Sequence, residues 1–272
     1  MTDNPALTRD VSAHLTARVT QEAEIVLSLA TAYRPSEEEL SITVDGAPVP
    51  FEQVVSTHDT RLHIVPKTPV GTLEVRYAAK LFGDLPIDPR HDGPADRILY
   101  LRPSRYCESD TLAEVAAAEF EGLAGKDLLD GVSSWVGQRL AYVSGSSRPT
   151  DGAVQTYLSR AGVCRDFAHL VIALLRARGV PARLLSVYAP GLSPMDFHAV
   201  AEACLDDRWY VVDATTLAPR AGMVRIATGR DASDTAFLTV HSGRLDLTGI
   251  EVNATMSPAL PDDDVTALVS LA

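Results

Sequence analysis

The stretch AGVCRDFAHLVIALLRARGV, residues 161–180, decides the fold of this chain. After Cys164, apolar residues recur at the spacing of one helix face: Phe167, Leu170, Val171, Leu174 and Leu175. Gly179 followed by Pro181 is a common way to end such a helix. The pattern predicts a buried helix with Cys164 in its first turn. There the unpaired backbone N–H groups and the helix dipole stabilise a thiolate.

A nucleophilic thiolate needs a base and a group that orients the base. Downstream, His198 lies in the segment DFHAVAEACL and Asp213 in the segment RWYVVDAT. Asp206 and Asp207 predict a tight turn between two antiparallel strands. With that turn, His198 falls opposite the residue two places beyond Asp213, within reach of the carboxylate. The sequence therefore predicts Cys164 as nucleophile, His198 as base and Asp213 as the orienting group.

Four further residues are candidates for supporting this site or for binding substrate: Tyr142, Arg165, Asp166 and Phe197. An acid at position 166 suits the helix dipole, so Asp166 is equally a helix stabiliser or a site residue. His169 lies five residues beyond Cys164 and projects from another side of the helix, which indicates a structural role. Cys107 and Cys204 have no matching base or acid around them and are interpreted as non-catalytic.

Composition restricts the function classes. The 272 residues carry 24 Lys and Arg against 36 Asp and Glu, a net charge of −12, which disfavours nucleic acid and anionic membranes as partners. No apolar run is as long as a membrane span, and the polar start lacks the apolar core of a signal peptide, so a cytoplasmic location is expected. Three scattered cysteines favour reduced thiols over disulfides or a zinc site. No metal or cofactor motif is found, and no cofactor is expected.

The periodicity of the chain changes near residue 97. Before residue 83, six short segments alternate between apolar and polar residues, which predicts an antiparallel β-sandwich. Residues 83–97 are rich in proline, glycine and charge, which is typical of a connector. Helical spacing and then strand patterns follow. The sequence therefore predicts an α+β protein with a sandwich module (1–82), a connector (83–97) and a core (98–272).

Two segments in the order GVCRDFAHLVIALLRARGVPAR and DFHAVAEACLDDRWYVVDAT resemble the catalytic core of bacterial transglutaminase-like proteins. The resemblance implies a papain-like α+β core with the cysteine at a helix N-terminus and the histidine and aspartate on adjacent strands. It gives Cys164, His198 and Asp213 the roles of a Cys–His–Asp triad. The first strands are similar to the β-rich module that often precedes this core. Many members carry Trp two positions after the histidine; Val200 stands there and is expected to reshape the acyl-acceptor side of the cleft.

Such a triad predicts acyl transfer on amide or peptide bonds through a Cys164 thioester. A cysteine peptidase or amidase is favoured, because hydrolysis needs no second substrate site, and its partner would be a peptide or amide substrate. Transamidation of protein glutamine is the alternative. Two other hypotheses are a non-catalytic binding or scaffold protein that keeps the fold, and a metal site formed by Cys164, His169 and His198.

Overall fold

The protein has an α+β fold, as predicted, with two main antiparallel sheets. A computed structural model describes residues 7–83 and 93–271. Most of the predicted connector, residues 83–97, lies outside the described residues, but its last part belongs to a helix that begins at Pro94. No helix among the described residues is long and apolar enough to span a membrane.

The helices and strands follow one another in this order: β1 (Thr8–Leu27), β2 (Glu37–Val44), β3 (Ala47–Pro48), β4 (Glu52–Val55), β5 (Arg61–Thr68), β6 (Gly71–Phe82), α1 (Pro94–Leu99), α2 (Ala113–Glu119), α3 (Gly125–Arg139), β7 (Ala141–Tyr142), α4 (Ala153–Ser159), β8 (Ala161–Gly162), α5 (Cys164–Ala177), β9 (Ala182–Tyr188), β10 (His198–Leu205), β11 (Arg208–Val212), β12 (Val224–Gly229), α6 (Ala232–Thr235) and β13 (Leu238–Ser257).

The first sheet is built on β1, a single strand where the alternation predicted two. β6 pairs with its first half and β5 with its second half, while β13 pairs along its whole length, from Thr8 opposite Ser257 to Leu27 opposite Leu238. Register shifts interrupt the pairing of β1 with β13, and such bulges bend a strand. Hydrogen bonds thus join seven antiparallel strands, and β1 takes part in the pairing with both of its halves.

β13 belongs to residues that the sequence prediction assigned to the core. Alternation shows which face of a strand is buried but not which strand pairs with it, so a partner more than 200 residues away in the chain leaves no local signal. The first sheet therefore includes a strand from beyond the core helices. The domain boundaries themselves stay a prediction.

The second sheet has the order β11–β10–β9–β12, and α5 packs against β9 and β10. Every residue of α5 from Asp166 to Arg176 is buried, because α2, α3 and α4 cover the side away from the sheet. Gly179, with φ of +77°, ends the helix as predicted: its N–H bonds Arg176 O, and the Val180 N–H bonds Leu175 O. This layer of helices fixes the position of the α5 N-terminus.

The two sheets share one apolar cluster. Tyr188, Val224 and Ile226 of the second sheet pack among the inward residues of the first. The Tyr188 hydroxyl donates a hydrogen bond to the Leu29 carbonyl at 2.8 Å. The first sheet therefore supports the strands that carry the candidate site.

Candidate active site

Cys164 is the first residue of α5, with Val163 as the N-cap, so its predicted place in the first helical turn is confirmed. The Asp166 carboxylate accepts a hydrogen bond from the Val163 backbone N–H at 2.8 Å. Gly162 allows this close approach, since a Cβ there would lie 2.6 Å from the Asp166 Cβ. The thiol thus lies where the helix N–H groups favour a thiolate.

His198 and Asp213 are brought together by the hairpin of β10 and β11. Leu205 pairs with Arg208 as the predicted register requires, and the two turn residues between them take φ of +48° and +64°. His198 Nε2 lies 3.1 Å from Asp213 Oδ2. The other carboxylate oxygen accepts hydrogen bonds from the backbone N–H and the hydroxyl of Thr215 at 2.8 and 2.7 Å. Asp213 is therefore held in one orientation from both sides.

The second ring nitrogen of His198, Nδ1, is buried, and the ring lies close enough to the Cys164 thiol to interact with it. Burial by itself lowers the pKa of His198, but the hydrogen bond to Asp213 and the interaction with Cys164 outweigh it and raise the pKa to about 10. Burial raises the pKa of Asp213, and the contacts with His198 and Thr215 more than offset this, so the pKa is lowered. The imidazole is thus favoured in its cationic form beside the ionised Asp213 carboxylate.

Tyr142 lies beside Cys164 because β7 runs parallel to β8, with Tyr142 opposite Gly162. Its hydroxyl interacts with the backbone N–H and the thiol of Cys164; burial, followed by the charge of Cys164, raises the pKa of Tyr142 to about 12. The ring packs against Phe167 at 5.9 Å and is 47% exposed. Tyr142 therefore lies beside Cys164 with about half of its surface exposed.

Arg165 and Asp166 hold the loop between β7 and α4. Arg165 Nη2 donates hydrogen bonds to the Ser147 hydroxyl and to the Arg148 carbonyl, the latter at 2.8 Å. Asp166, which is 1% exposed, accepts a hydrogen bond from the Ser147 hydroxyl at 2.9 Å. Of the two interpretations of Asp166, the contacts support that of a helix stabiliser.

The structure does not bring Phe197 to Cys164. Its ring packs between Tyr188 at 5.7 Å and Phe237 at 5.2 Å, at the junction of the two sheets. Neighbouring residues in an extended chain point to opposite sides, so Phe197 points away from the side that His198 faces. Val200, at the position where many relatives carry Trp, is 1% exposed and packs in an apolar cluster with Leu185 and Val187.

His169 is fully buried on another side of α5. Its Nε2 accepts a hydrogen bond from the Ala232 N–H at 3.1 Å, its ring stacks on Tyr106, and burial lowers its pKa to about 3. Cys107 is also fully buried, which raises the pKa of its thiol. Across the described ranges, no three His, Cys, Asp or Glu side chains are grouped so that they could hold a metal ion.

Two residues near the site escaped the sequence analysis. Thr215 orients Asp213 and follows it by two places, the spacing at which an Asp side chain bonds its own backbone in a turn. Asp196 precedes His198 by two places; burial raises the pKa of Asp196, the charge of His198 acts against this rise, and Asp196 in turn raises the pKa of Tyr142. Its spacing from His198 was the signal that could have identified it.

Asp166→Ala is expected to lower the free energy of unfolding by about 1–3 kcal/mol, because it removes a buried charged acceptor of hydrogen bonds. Urea denaturation followed by circular dichroism measures the change. Glu114→Ala is the matched control, since Glu114 is an exposed acid in the first turn of α2. A loss no larger than that of the control would contradict the stabilising role of Asp166.

Comparisons with known proteins agree with this geometry. A family model described as the transglutaminase-like superfamily matches residues 120–214, which include Cys164, His198 and Asp213. A solved structure from Cytophaga hutchinsonii, described as a candidate cysteine protease, is 31% identical over 97% of this chain and 96% of its own, with a TM-score of 0.83.

Two uncharacterized mycobacterial proteins are also similar. The one from Mycobacterium leprae is 25% identical over 158 residues, 53% of this chain and 55% of its own length. The one from Mycobacterium tuberculosis is 37% identical over 83 residues, 29% of this chain and 26% of its own length. The chain thus spans about half or less of the curated relatives it matches. The match to the Cytophaga protein, which runs through nearly the whole of both chains, and the family model together show that this chain belongs to the transglutaminase-like superfamily.

Proposed function

We propose that this protein is a thiol-dependent acyl-transfer enzyme, a cysteine peptidase or amidase that acts through a Cys164 thioester. The observation that carries the proposal is the state of His198: Nε2 bonds Asp213, and the buried ring interacts with the Cys164 thiol. A base held by a carboxylate beside a thiol at a helix N-terminus is the arrangement that activates a cysteine nucleophile.

In the proposed reaction the Cys164 thiolate attacks an amide carbonyl carbon, and the carbonyl oxygen takes up the negative charge. The Cys164 backbone N–H, at the positive end of α5, would stabilise that oxyanion once the substrate displaces the Tyr142 hydroxyl from it. The His198 imidazolium then protonates the leaving amine, and a thioester forms. Water, deprotonated by His198, attacks the thioester and releases the acid, while Asp213 keeps the imidazole oriented throughout.

Transamidation differs only in the last step, where an amine replaces water as the attacking group. Hydrolysis is proposed because the described site requires no second substrate for it. The proposed partner is a peptide or amide substrate. The cytoplasmic location expected from the sequence stays a prediction.

Alkylation by iodoacetamide tests the proposal. In mildly acidic buffer, Cys164 is expected to react well before Cys107 and Cys204, because only a thiolate reacts and the His198 imidazolium lies beside Cys164. Peptide mass spectrometry after short exposures measures the modified fraction at each cysteine. Equal and slow modification of all three would contradict an activated nucleophile and favour the non-catalytic scaffold.

An activated acyl ester separates the two enzymatic alternatives. A burst of leaving group equal to the amount of protein is expected from acylation of Cys164, and none from Cys164→Ser on the same time scale. The acyl-enzyme is then divided between water and an added primary amine. A product that remains the free acid at high amine concentration supports the hydrolase, whereas an amide product supports the transamidase.

A further inference from the structure

β11, the strand that leads into Asp213, has no further β-strand on its outer edge in the described part of the chain. Val211 lies opposite Glu202 of β10. Its backbone groups bond elsewhere: the N–H donates to the Val269 carbonyl at 2.8 Å, and the carbonyl accepts from Arg220 Nη1 at 3.3 Å. The segment 258–271, called the strap below, therefore closes this edge together with Arg220.

An ion pair fastens the strap. Arg220 is 6% exposed, and its Nε and Nη2 donate to the Asp263 carboxylate at 3.1 and 2.9 Å. The backbone N–H of Arg220 also donates to this carboxylate, at 3.1 Å. Burial raises the pKa of Asp263, but the contacts with Arg220 outweigh it and lower the pKa. The pair is therefore charged at neutral pH, with two parallel hydrogen bonds that fix its geometry.

Asp213 and Asp263 line the same small cavity, together with Arg220. The two carboxylates are close enough that the charge of Asp213 affects the pKa of Asp263. The guanidinium of Arg220 is attracted to both carboxylates, and the attraction is strong because the surroundings are largely buried and have a low dielectric constant. The two carboxylates have separate partners: Asp263 binds Arg220 in a bidentate manner, while Asp213 has one oxygen on His198 and the other on Thr215.

We infer that Arg220 and Asp263 are positioning residues for the Asp213–His198 pair. Asp263 holds the arginine away from Asp213, and the strap and Arg220 fix the backbone of Val211, two residues before Asp213. The inference rests on the proposed function, in which the Asp213–His198 pair maintains the Cys164 thiolate. Without the Arg220–Asp263 pair, Arg220 competes with His198 for Asp213, the imidazolium is less stable, and the thiol ionises at higher pH.

The pH profile of Cys164 alkylation tests this inference in the full chain. Asp263→Asn is expected to move the midpoint of the profile upward by about one pH unit. On the acidic side of the profile, this shift corresponds to an alkylation rate about tenfold lower than that of the wild type. Asp262→Asn is the matched control: it removes the same charge from the exposed neighbouring residue and is expected to leave the midpoint at the wild-type value. Asp263→Glu, which keeps the charge, is expected to give a midpoint close to that of the wild type.

Circular dichroism shows whether each variant is folded. If Asp263→Asn is not folded, Arg220→Lys takes its place, since lysine keeps the charge but loses the two parallel hydrogen bonds and the bond to Val211. A folded variant whose midpoint equals that of the wild type would overturn the inference while leaving the proposed function intact. A wild-type protein with no acidic reactivity at Cys164 would instead overturn the proposed function, and the inference with it.

Discussion

His198→Gln is expected to lower the rate at which iodoacetamide modifies Cys164 at about pH 5.5 by about 10³-fold. The contacts with Asp213 and Cys164 raise the pKa of His198, and an imidazolium beside a cysteine sulfur favours the thiolate form of a cysteine. A cysteine without such a partner, with the ordinary pKa of about 8.5, is ionised in about one molecule in 10³ at that pH. Stopped-flow or quenched alkylation followed by peptide mass spectrometry gives both rates.

His241→Gln is the control for this experiment, because it makes the same substitution at a half-exposed histidine of β13. Its alkylation rate is expected to equal that of the wild type. At pH above 9, where an ordinary thiol is ionised without help, the rate of His198→Gln is expected to approach the wild-type rate. A variant that reacts at wild-type speed in acid would show that His198 does not maintain the thiolate.

The raised pKa of His198 also predicts how the stability of the protein depends on pH. Because the pKa of His198 is about 10 in the folded protein and about 6.5 in an unfolded chain, its charged contacts contribute most to stability below pH 6.5. That contribution is lost as the pH rises toward 10. The difference in unfolding free energy between wild type and His198→Gln is therefore expected to shrink from pH 6 to pH 10, which urea denaturation at both values measures.

The parts of the site that could be predicted are those that local rules determine. The two aspartates of the β10–β11 turn set the register, and the register places His198 near Asp213. A helix pattern that begins at a cysteine and ends at Gly179 places the thiol in the first turn. Each rule involves residues that are a few positions apart, so the sequence alone is enough to apply it.

The parts that could not be predicted depend on contacts between distant residues. The pairing of β1 with β13 and the ion pair between Arg220 and Asp263 join distant segments. No sequence pattern relates the two segments of either contact. Phe197 was a candidate for supporting the site or binding substrate, but it packs against Phe237, which lies 40 residues further along the chain. The sequence also does not show which charged residues are buried. An acidic residue in an alternating strand is predicted to be exposed, because its ion-pair partners on other strands are not known from the sequence.

Glu202 is the clearest example of a charged residue whose burial the sequence does not show. It lies on β10 four residues after His198, and it is fully buried. Arg183 of β9 donates to it from Nε at 2.6 Å, and Arg225 of β12 donates from Nη2 at 2.9 Å. Burial raises the pKa of Glu202, but the two arginines outweigh it and lower the pKa. This charged cluster connects three strands of the sheet that carries the candidate base.

Glu202→Gln is expected to lower the free energy of unfolding by about 3–5 kcal/mol, because it removes the carboxylate that two buried guanidinium groups share. That is a large part of the 5–15 kcal/mol that stabilises a typical protein, so a drop in melting temperature is also expected. Glu251→Gln is the control, since that glutamate side chain is 84% exposed, and a change within about 0.5 kcal/mol is expected there.

Acidic pH gives a second, independent readout for Glu202. Its pKa is lowered in the folded protein, so its contribution is present above the unfolded value of about 4.3 and is lost as the pH falls below it. The stability gap between wild type and Glu202→Gln should therefore narrow in acid, whereas a defect in packing alone would persist at every pH. If denaturant titrations at pH 7 and pH 3 give the same gap, the loss comes from packing, and the cluster does not connect the strands through charge.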